Sequence, residues 1–362
     1  MEEKEEIEVK EIQKTITISP EPDEEKVSED EFLSVVKSIA PGTYIRTALD
    51  EALKAGRGAL IVMENEKLSP ILDGGFRVNC RFTPQKLTEL AKMDGVIVLS
   101  KDLKKIAYAN VTLAPESTIK TCETGTRHKA AERTAKQISG LAIAISERKH
   151  EINIYYKNMR YHLKNTGDLL RKANEQIQLL ERHRESFDKY IDELTKLEVK
   201  NNLNLNHAIH AIQKGRLIQK IAKELKKYIV ELGNEGTLLK TRLKEITMGV
   251  EEETDFVIKD YTKLDVKKSR TLLESLSYDE ILENENIMRV LAYESVVQLL
   301  PVKGWRILSK TSLDEPELAA IIKELGNFNS IINCNPHLFH KLIGEEKAKI
   351  FKEEIERIKS GF

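Results

Sequence analysis

Long apolar runs are absent from this 362-residue chain. The longest, such as residues 141–145, fall far short of the roughly 18 residues that a bilayer-spanning helix needs, so no membrane span is expected. Cysteine is scarce too. Cys80, Cys122 and Cys334 lie far apart with no CxxC pair, which argues against a disulfide framework and a cysteine-built zinc site. They read as reduced thiols of a cytoplasmic protein. The first residues are Glu-rich rather than basic and then apolar, so no secretory signal is expected. Aromatics make up 6% of the chain, beside 9 prolines and 17 glycines, a composition that suits a helix-rich protein better than a sandwich or a linker. There is no GxxxxGK[ST], no GxGxxG after a strand and no HExxH. A P-loop, a dinucleotide-binding fold and a zincin are thereby set aside. The net charge of −1 excludes no partner, because it averages segments of opposite sign.

What the chain does have is 40% hydrophobic and 32% charged residues, enough for two or three domains under a charged surface. Residues 1–30 are acidic, carry Pro20 and Pro22 and show little apolar periodicity, which predicts a disordered tail. Residues 31–161 alternate in type. Helices are predicted over 32–39, 47–55, 84–93 and 130–137, and strands over 58–63, 95–99, 106–113, 141–146 and 152–156, with a turn at 73–76. That pattern is a mixed α/β domain with one central sheet. Residues 162–300 read as an all-α spine. Leu163, Leu170, Ile177 and Ile191 share one heptad position, and Ala173, Leu180, Phe187 and Leu194 another, with Arg184 interrupting the first. Gly233 and Gly236 break the helix ahead of a further one over 238–250. The span 160–250 is mildly basic, so its face could meet nucleic acid or simply water. In residues 301–362 a helix is predicted over 316–325, and Leu342-Ile343-Gly344 leads into another over 345–358. Two short helices joined by a Gly-bearing hairpin can place backbone amides against a DNA phosphate or serve as a helical cap.

The sharpest local feature is Thr124-Gly125-Thr126-Arg127-His128-Lys129, a Gly turn running straight into a helix. Free N–H groups and the dipole at a helix start favour an anion. A guanidinium, an imidazole and an ammonium in three consecutive residues strengthen that preference for polyphosphate. A helix built only for stability avoids cations in its first turn. The second feature is Asp94-Gly95, a carboxylate on a Gly turn ahead of a buried strand, fit to hold a divalent metal or simply to turn the chain. Metal carboxylate plus phosphate-binding helix start suggests a nucleotide.

These two segments resemble the paired DGA and TGTRHR signatures of the diadenylate cyclase family. The resemblance extends through Gly58-Ala59-Leu60-Ile61-Val62, Gly74-Gly75-Phe76, Tyr108-Ala109-Asn110, Tyr155-Tyr156-Lys157 and the helical middle, including Tyr228 to Gly233. The order of cyclase domain, helical spine and helix-hairpin-helix-like tail is similar to the DNA-integrity-scanning members of that family. The resemblance implies condensation of two ATP into cyclic di-AMP with release of two pyrophosphates, on two facing cyclase domains of a homo-octamer, coupled to branched DNA. Asp94, Arg127 and His128 would be catalytic, with Asp94 also at the metal, Mg²⁺ or Mn²⁺. Gly95, Leu113, Thr126, Arg127, His128, Lys129, Ala130 and Ser146 would contact ATP, and Gly344 and Lys347 the DNA. The chain departs from the family at Val96, Lys129, Ala130 and Glu147, and it keeps one glycine in its hairpin. An alternative is a DNA-binding scaffold, or a nucleotide sensor, with a degraded cyclase site.

Overall fold

A computed structural model of the chain describes residues 27–203, 205–295 and 302–360, so the predicted acidic tail lies almost wholly outside it. Two compact bodies are present. One runs to Lys172 and takes in Lys227–Leu238; the other comprises Ala173–Lys226 and the chain from Leu239 onward.

The first body is built on helices α1 (Glu29–Ser38) and α2 (Tyr44–Lys54), each started by a hydroxyl N-cap, Ser28 and Thr43. Strands β1 (Ala59–Met63), β2 (Leu72–Asp73) and β3 (Phe76–Arg81) lead to α3 (Pro84–Leu90), then β4 (Val96–Leu99) and β5 (Lys105–Leu113). Helix α4 (Thr126–Ile138) and strands β6 (Leu141–Ser146), β7 (Glu151–Tyr156) and β8 (Met159–Leu163) complete it. Among the described residues the eight strands form one mixed sheet in the order β2-β5-β4-β1-β6-β7-β8, with β3 also on β5. Side chains alternate across it. Ile61, Ile97, Leu99, Ile143 and Ile145 pack under α1–α3, whereas Leu60, Val62, Val96, Val98, Ala142 and Ala144 face α4. Each such aliphatic side chain, fully buried, contributes about 1.5–3 kcal/mol. Ala142 and Ala144 meet Ala131 and Ala135 on α4, so methyl-sized contacts let that helix lie close to the sheet.

Sequence periodicity finds the central strands and misses the outer ones. β3 is a mostly exposed strand at the outer side of β5, and β8 alternates buried and half-buried residues, so neither has the unbroken apolar run that marks a buried strand. β8 also corrects the heptad reading, because Leu163 closes a strand and pairs with Ile152. The remaining seam does sit on one helix, α5 (Thr166–Val199), where Ala173, Ile177, Leu180, Phe187, Ile191 and Leu194 are buried; Leu170 is only half-buried. Helix α6 (Leu205–Leu232) follows, ending in a 3₁₀ turn over Gly233–Gly236. Gly233 has φ +52°, and an added Cβ would sit 2.5 Å from the Pro41 carbonyl oxygen, so this junction admits no side chain. Nearby, the Tyr161 hydroxyl donates to the buried Glu231 at 2.6 Å.

The helix predicted over 238–250 ends at Thr247. Gly249, at φ +74°, separates α7 (Thr237–Thr247) from α8 (Val250–Tyr261). Arg184, the interruption in the heptad, has a role at this break: its guanidinium donates to the carbonyls of Ile246 (2.7 Å) and Met248 (2.8 Å) and closes the end of α7. Helices α9 (Val266–Ser275), α10 (Tyr278–Leu282) and α11 (Asn284–Val290) follow, then α12 (Trp305–Leu308). Two hairpins end the chain, α13 (Glu315–Leu325) with α14 (Phe328–Ile332), and α15 (Pro336–Ile343) with α16 (Glu345–Ser360), around a core that includes Ile321, Phe328, Phe339 and Phe351.

Arg306 on α12 is fully buried. It pairs with Glu198 at 2.5 Å, donates to the Thr195 hydroxyl at 2.9 Å and reaches Glu253 at 3.2 Å. The Asp260 carboxylate accepts the backbone N–H groups of Trp305 (2.7 Å) and Arg306 (2.9 Å). Breaking such a pair leaves an unpaired charge in the interior, so Arg306→Leu should cost about 3–5 kcal/mol. Denaturant unfolding checks this: the midpoint should fall sharply, and Arg306→Met combined with Glu198→Leu should recover part of the loss.

Candidate active site

Strand register decides which residues can meet. β1 and β4 run parallel, Leu60 opposite Val96 and Ile61 opposite Ile97, so both begin at the same edge of the sheet. β5 and β6 run antiparallel to them, Val111 opposite Val96 and Ile145 opposite Ala59, so both end at that edge. Gly58, Asp94-Gly95, Leu113 and Ser146, scattered over nearly ninety positions, are thereby brought to one rim.

Helix α4 delivers the Thr124–Thr126 turn to the same rim. Its N-cap is Gly125, which supplies no side-chain cap, and its first turn holds no acid. Thr126 is the first residue of the helix rather than its cap. The Arg127 guanidinium lies where a Cβ on Gly58 would stand. Gly95 has φ +90°, and an added Cβ would meet the backbone of Asn110 and Val111 at 2.9 Å, so only glycine fits between these strands. The Asp94 carboxylate beside it is exposed and has no hydrogen bond or ion pair among the described residues.

The loop leading into the turn is strapped along α4. The buried Glu132 accepts the Thr121 hydroxyl and the Cys122 N–H (3.2 Å) and pairs with Lys136 at 3.1 Å. Arg133 donates to the Ile119 carbonyl at 2.9 Å, Lys136 to that of Lys120 at 3.0 Å, and Gln137 accepts the Glu116 N–H at 3.0 Å. Sequence reasoning passed over Glu132 although it stands three residues past Lys129 in the same helix. Its only signal is an acid at i,i+4 from Lys136 in a cationic helix. His128 is half-buried, its ring edge-on to Tyr155 with centroids 6.5 Å apart. Burial pushes its pKa below the ordinary imidazole value; Glu123 opposes this, while Arg127, Arg160 and Lys149 add to it.

Asp94, Gly95, Leu113, Thr126, Arg127, His128 and Ser146 thus converge. Lys129 and Ala130 follow one and two residues further into α4, both half-buried, Ala130 against the cluster of Leu60, Val62 and Ala131. Val96 is buried in that cluster, so its extra bulk fills core. The Ser146 hydroxyl accepts the Lys149 N–H at 3.4 Å, and Glu147 is exposed. No group of three or more His, Cys, Asp or Glu able to hold a metal is found among the described residues. A divalent cation would therefore rest on Asp94 and substrate phosphates, the arrangement magnesium commonly takes. Gly344 and Lys347 lie in the second body. Gly344 alone joins α15 to α16, at φ +85° with nothing within 4 Å of an added Cβ, and Lys347 pairs with Glu317 at 2.5 Å.

Two family models match the chain: the nucleotide-binding region of DisA bacterial checkpoint controllers over residues 46–160, and the linker region of the same controllers over 163–300. Among curated proteins, the DNA integrity scanning protein DisA of Acetivibrio thermocellus is 36% identical over 92% of this chain and 96% of its own length. That of Clostridium kluyveri is 37% identical, covering 91% and 96%, and that of Bacillus subtilis 38%, covering 90% and 93%.

Gly58→Ala tests the placement of Arg127. The new methyl group meets only the far end of a flexible side chain, so stability should change by less than about 1 kcal/mol. ATP affinity, measured by calorimetry, should fall several-fold as the guanidinium is displaced.

Proposed function

The chain belongs to the DNA integrity scanning protein family, a family of diadenylate cyclases, and we propose that it condenses two ATP into cyclic di-AMP, releases two pyrophosphates and couples this output to branched DNA. The observation that carries the reading is the convergence of Asp94-Gly95 with the uncapped, cationic start of α4 on one rim of the sheet. Phosphoryl transfer is chiefly positioning and charge neutralisation, which is what these groups can supply. Asp94 orients the ribose 3′-hydroxyl and accepts its proton. The N–H groups of the first turn, with Thr126, Arg127, His128 and Lys129, hold the triphosphate and offset charge as pyrophosphate departs. Gly95, Leu113, Ala130 and Ser146 shape the nucleotide's bed. A bound Mg²⁺ or Mn²⁺ supplies further neutralisation of phosphate charge.

Each rim holds one nucleotide, so a complete site takes two chains face to face, and a homo-octamer of facing tetramers provides it. The DNA half of the proposal rests on the last hairpin, with Gly344 exposing backbone and Lys347 offering charge.

Incubation with ATP and Mg²⁺ or Mn²⁺, followed by chromatography, should yield cyclic di-AMP. Asp94→Asn should lower turnover by about 10²-fold or more while ATP still binds. Unchanged turnover would remove Asp94 from the chemistry. ATP binding with no product from the unaltered chain would favour a nucleotide sensor, or a DNA-binding scaffold if salt-sensitive DNA binding accompanies it.

A further inference from the structure

Behind His128 lies a cluster that the reaction outlined above does not use. Glu123 sits two residues ahead of the α4 N-cap, with its side chain about nine-tenths buried. One carboxylate oxygen, Oε1, accepts the Tyr155 hydroxyl at 2.6 Å and forms an ion pair with Arg160, 2.9 Å from its Nε. Tyr155 and Arg160 are direct cross-strand partners on β7 and β8, so they project from the same face of the sheet. Tyr155 is wholly buried, and its ring is the one that meets His128 edge-on. The sheet therefore presents a fixed hydroxyl and a fixed guanidinium, and the loop brings one carboxylate to both.

We infer that Glu123, held by Tyr155 and Arg160, is a positioning residue that fixes the orientation and charge state of His128 at the triphosphate end of the site. The inference rests on the nucleotide reading given under Proposed function. The charges that act most strongly on His128 are Glu123 from the loop, Arg127 on its own helix, Arg160 on β8 and Lys149 after β6. Glu123 is the one anion among them. Removing it leaves the ring among cations and partly desolvated, a setting that disfavours the imidazolium able to donate to phosphate. Removing Arg160 has the opposite effect, because it subtracts a cation while leaving Glu123 charged. A merely structural anchor has no such opposed pair of consequences.

The experiment measures kcat/KM for ATP, and ATP affinity by calorimetry, between pH 5 and pH 7.5 for the full chain and for Glu123→Gln, Arg160→Gln and Tyr155→Phe. Each variant is compared as a ratio to the unaltered chain, which cancels the titration of ATP itself. Protonated His128 is lost as pH rises. The ratio for Glu123→Gln should therefore fall by about threefold or more from pH 5 to pH 7.5, a window that reaches below the lowered imidazole value, and that for Arg160→Gln should rise by a similar factor. Tyr155→Phe keeps every charge, so its ratio should stay flat with pH while KM rises more than kcat falls. Flat ratios for all three variants, or the same slope for Glu123→Gln and Arg160→Gln, overturn the inference. If the unaltered chain binds ATP without making product, the cyclase reading fails and the affinity ratios alone decide this one. No ATP binding at all sinks both.

Discussion

The parallel pairing of β1 with β4, flanked on both sides by antiparallel neighbours, is the constraint on which the site depends. A wholly antiparallel sheet would send the start of one of these two strands to the opposite edge. Here the starts of β1 and β4 and the ends of β5 and β6 share one rim, and residues as distant as Gly58 and Ser146 come to the same edge. A parallel pair needs a crossover, and the chain from 64 to 95 provides it with α3, which packs beneath the sheet on the side away from α4. The rim is a consequence of connectivity as much as of any local motif.

What the rim does with phosphate depends next on how close α4 can come. Alanines at 131, 135, 142 and 144 set that distance, and larger side chains there would lift the helix and carry Arg127 away from Gly58. Once close, the helix start concentrates positive charge, and the neighbouring acids balance it. Glu132 is spent on the loop and on Lys136, Glu123 on Tyr155 and Arg160. Both carboxylates therefore face away from the open N–H groups. A carboxylate left free in the first turn would compete with the triphosphate for those groups; α4 has none.

How much of this could be read in the sequence follows from the range of each interaction. The Thr126–His128 turn was legible because its chemistry is contiguous, and the central strands because both faces are buried and their sequences run apolar. The gathering of Asp94, Leu113 and Ser146 could be inferred only through family resemblance, since register is a long-range property. Glu123 and Glu132 look like ordinary charges in a 32%-charged chain, and their partners lie 32 to 37 positions away in one case and in an unpatterned loop in the other. Leu163 shows the opposite error: heptad spacing matched by chance across a strand end, where backbone pairing with Ile152 overrides side-chain period. The break at Gly249 was foreseeable from its type, because a glycine inside a helical pattern so often ends it.

The departures from the family pattern fall where the fold can absorb them. Val96 adds its methyl groups to a core cluster, Ala130 leans on the same cluster, and Glu147 points into solvent beyond Ser146. Lys129 differs more in kind, because an ammonium replaces a fork that could grip two phosphate oxygens at once. Under the proposed function the triphosphate grip would then fall on Arg127 and His128, which raises the weight carried by whatever holds His128 in place. The hairpin of the second body has a comparable trade. Lys347 already pairs with Glu317, so a DNA phosphate must displace a carboxylate to use it, whereas the backbone around Gly344 is open. Contact through backbone amides would cost no such exchange, so under the proposed function the glycine is the stronger of the two candidate DNA contacts.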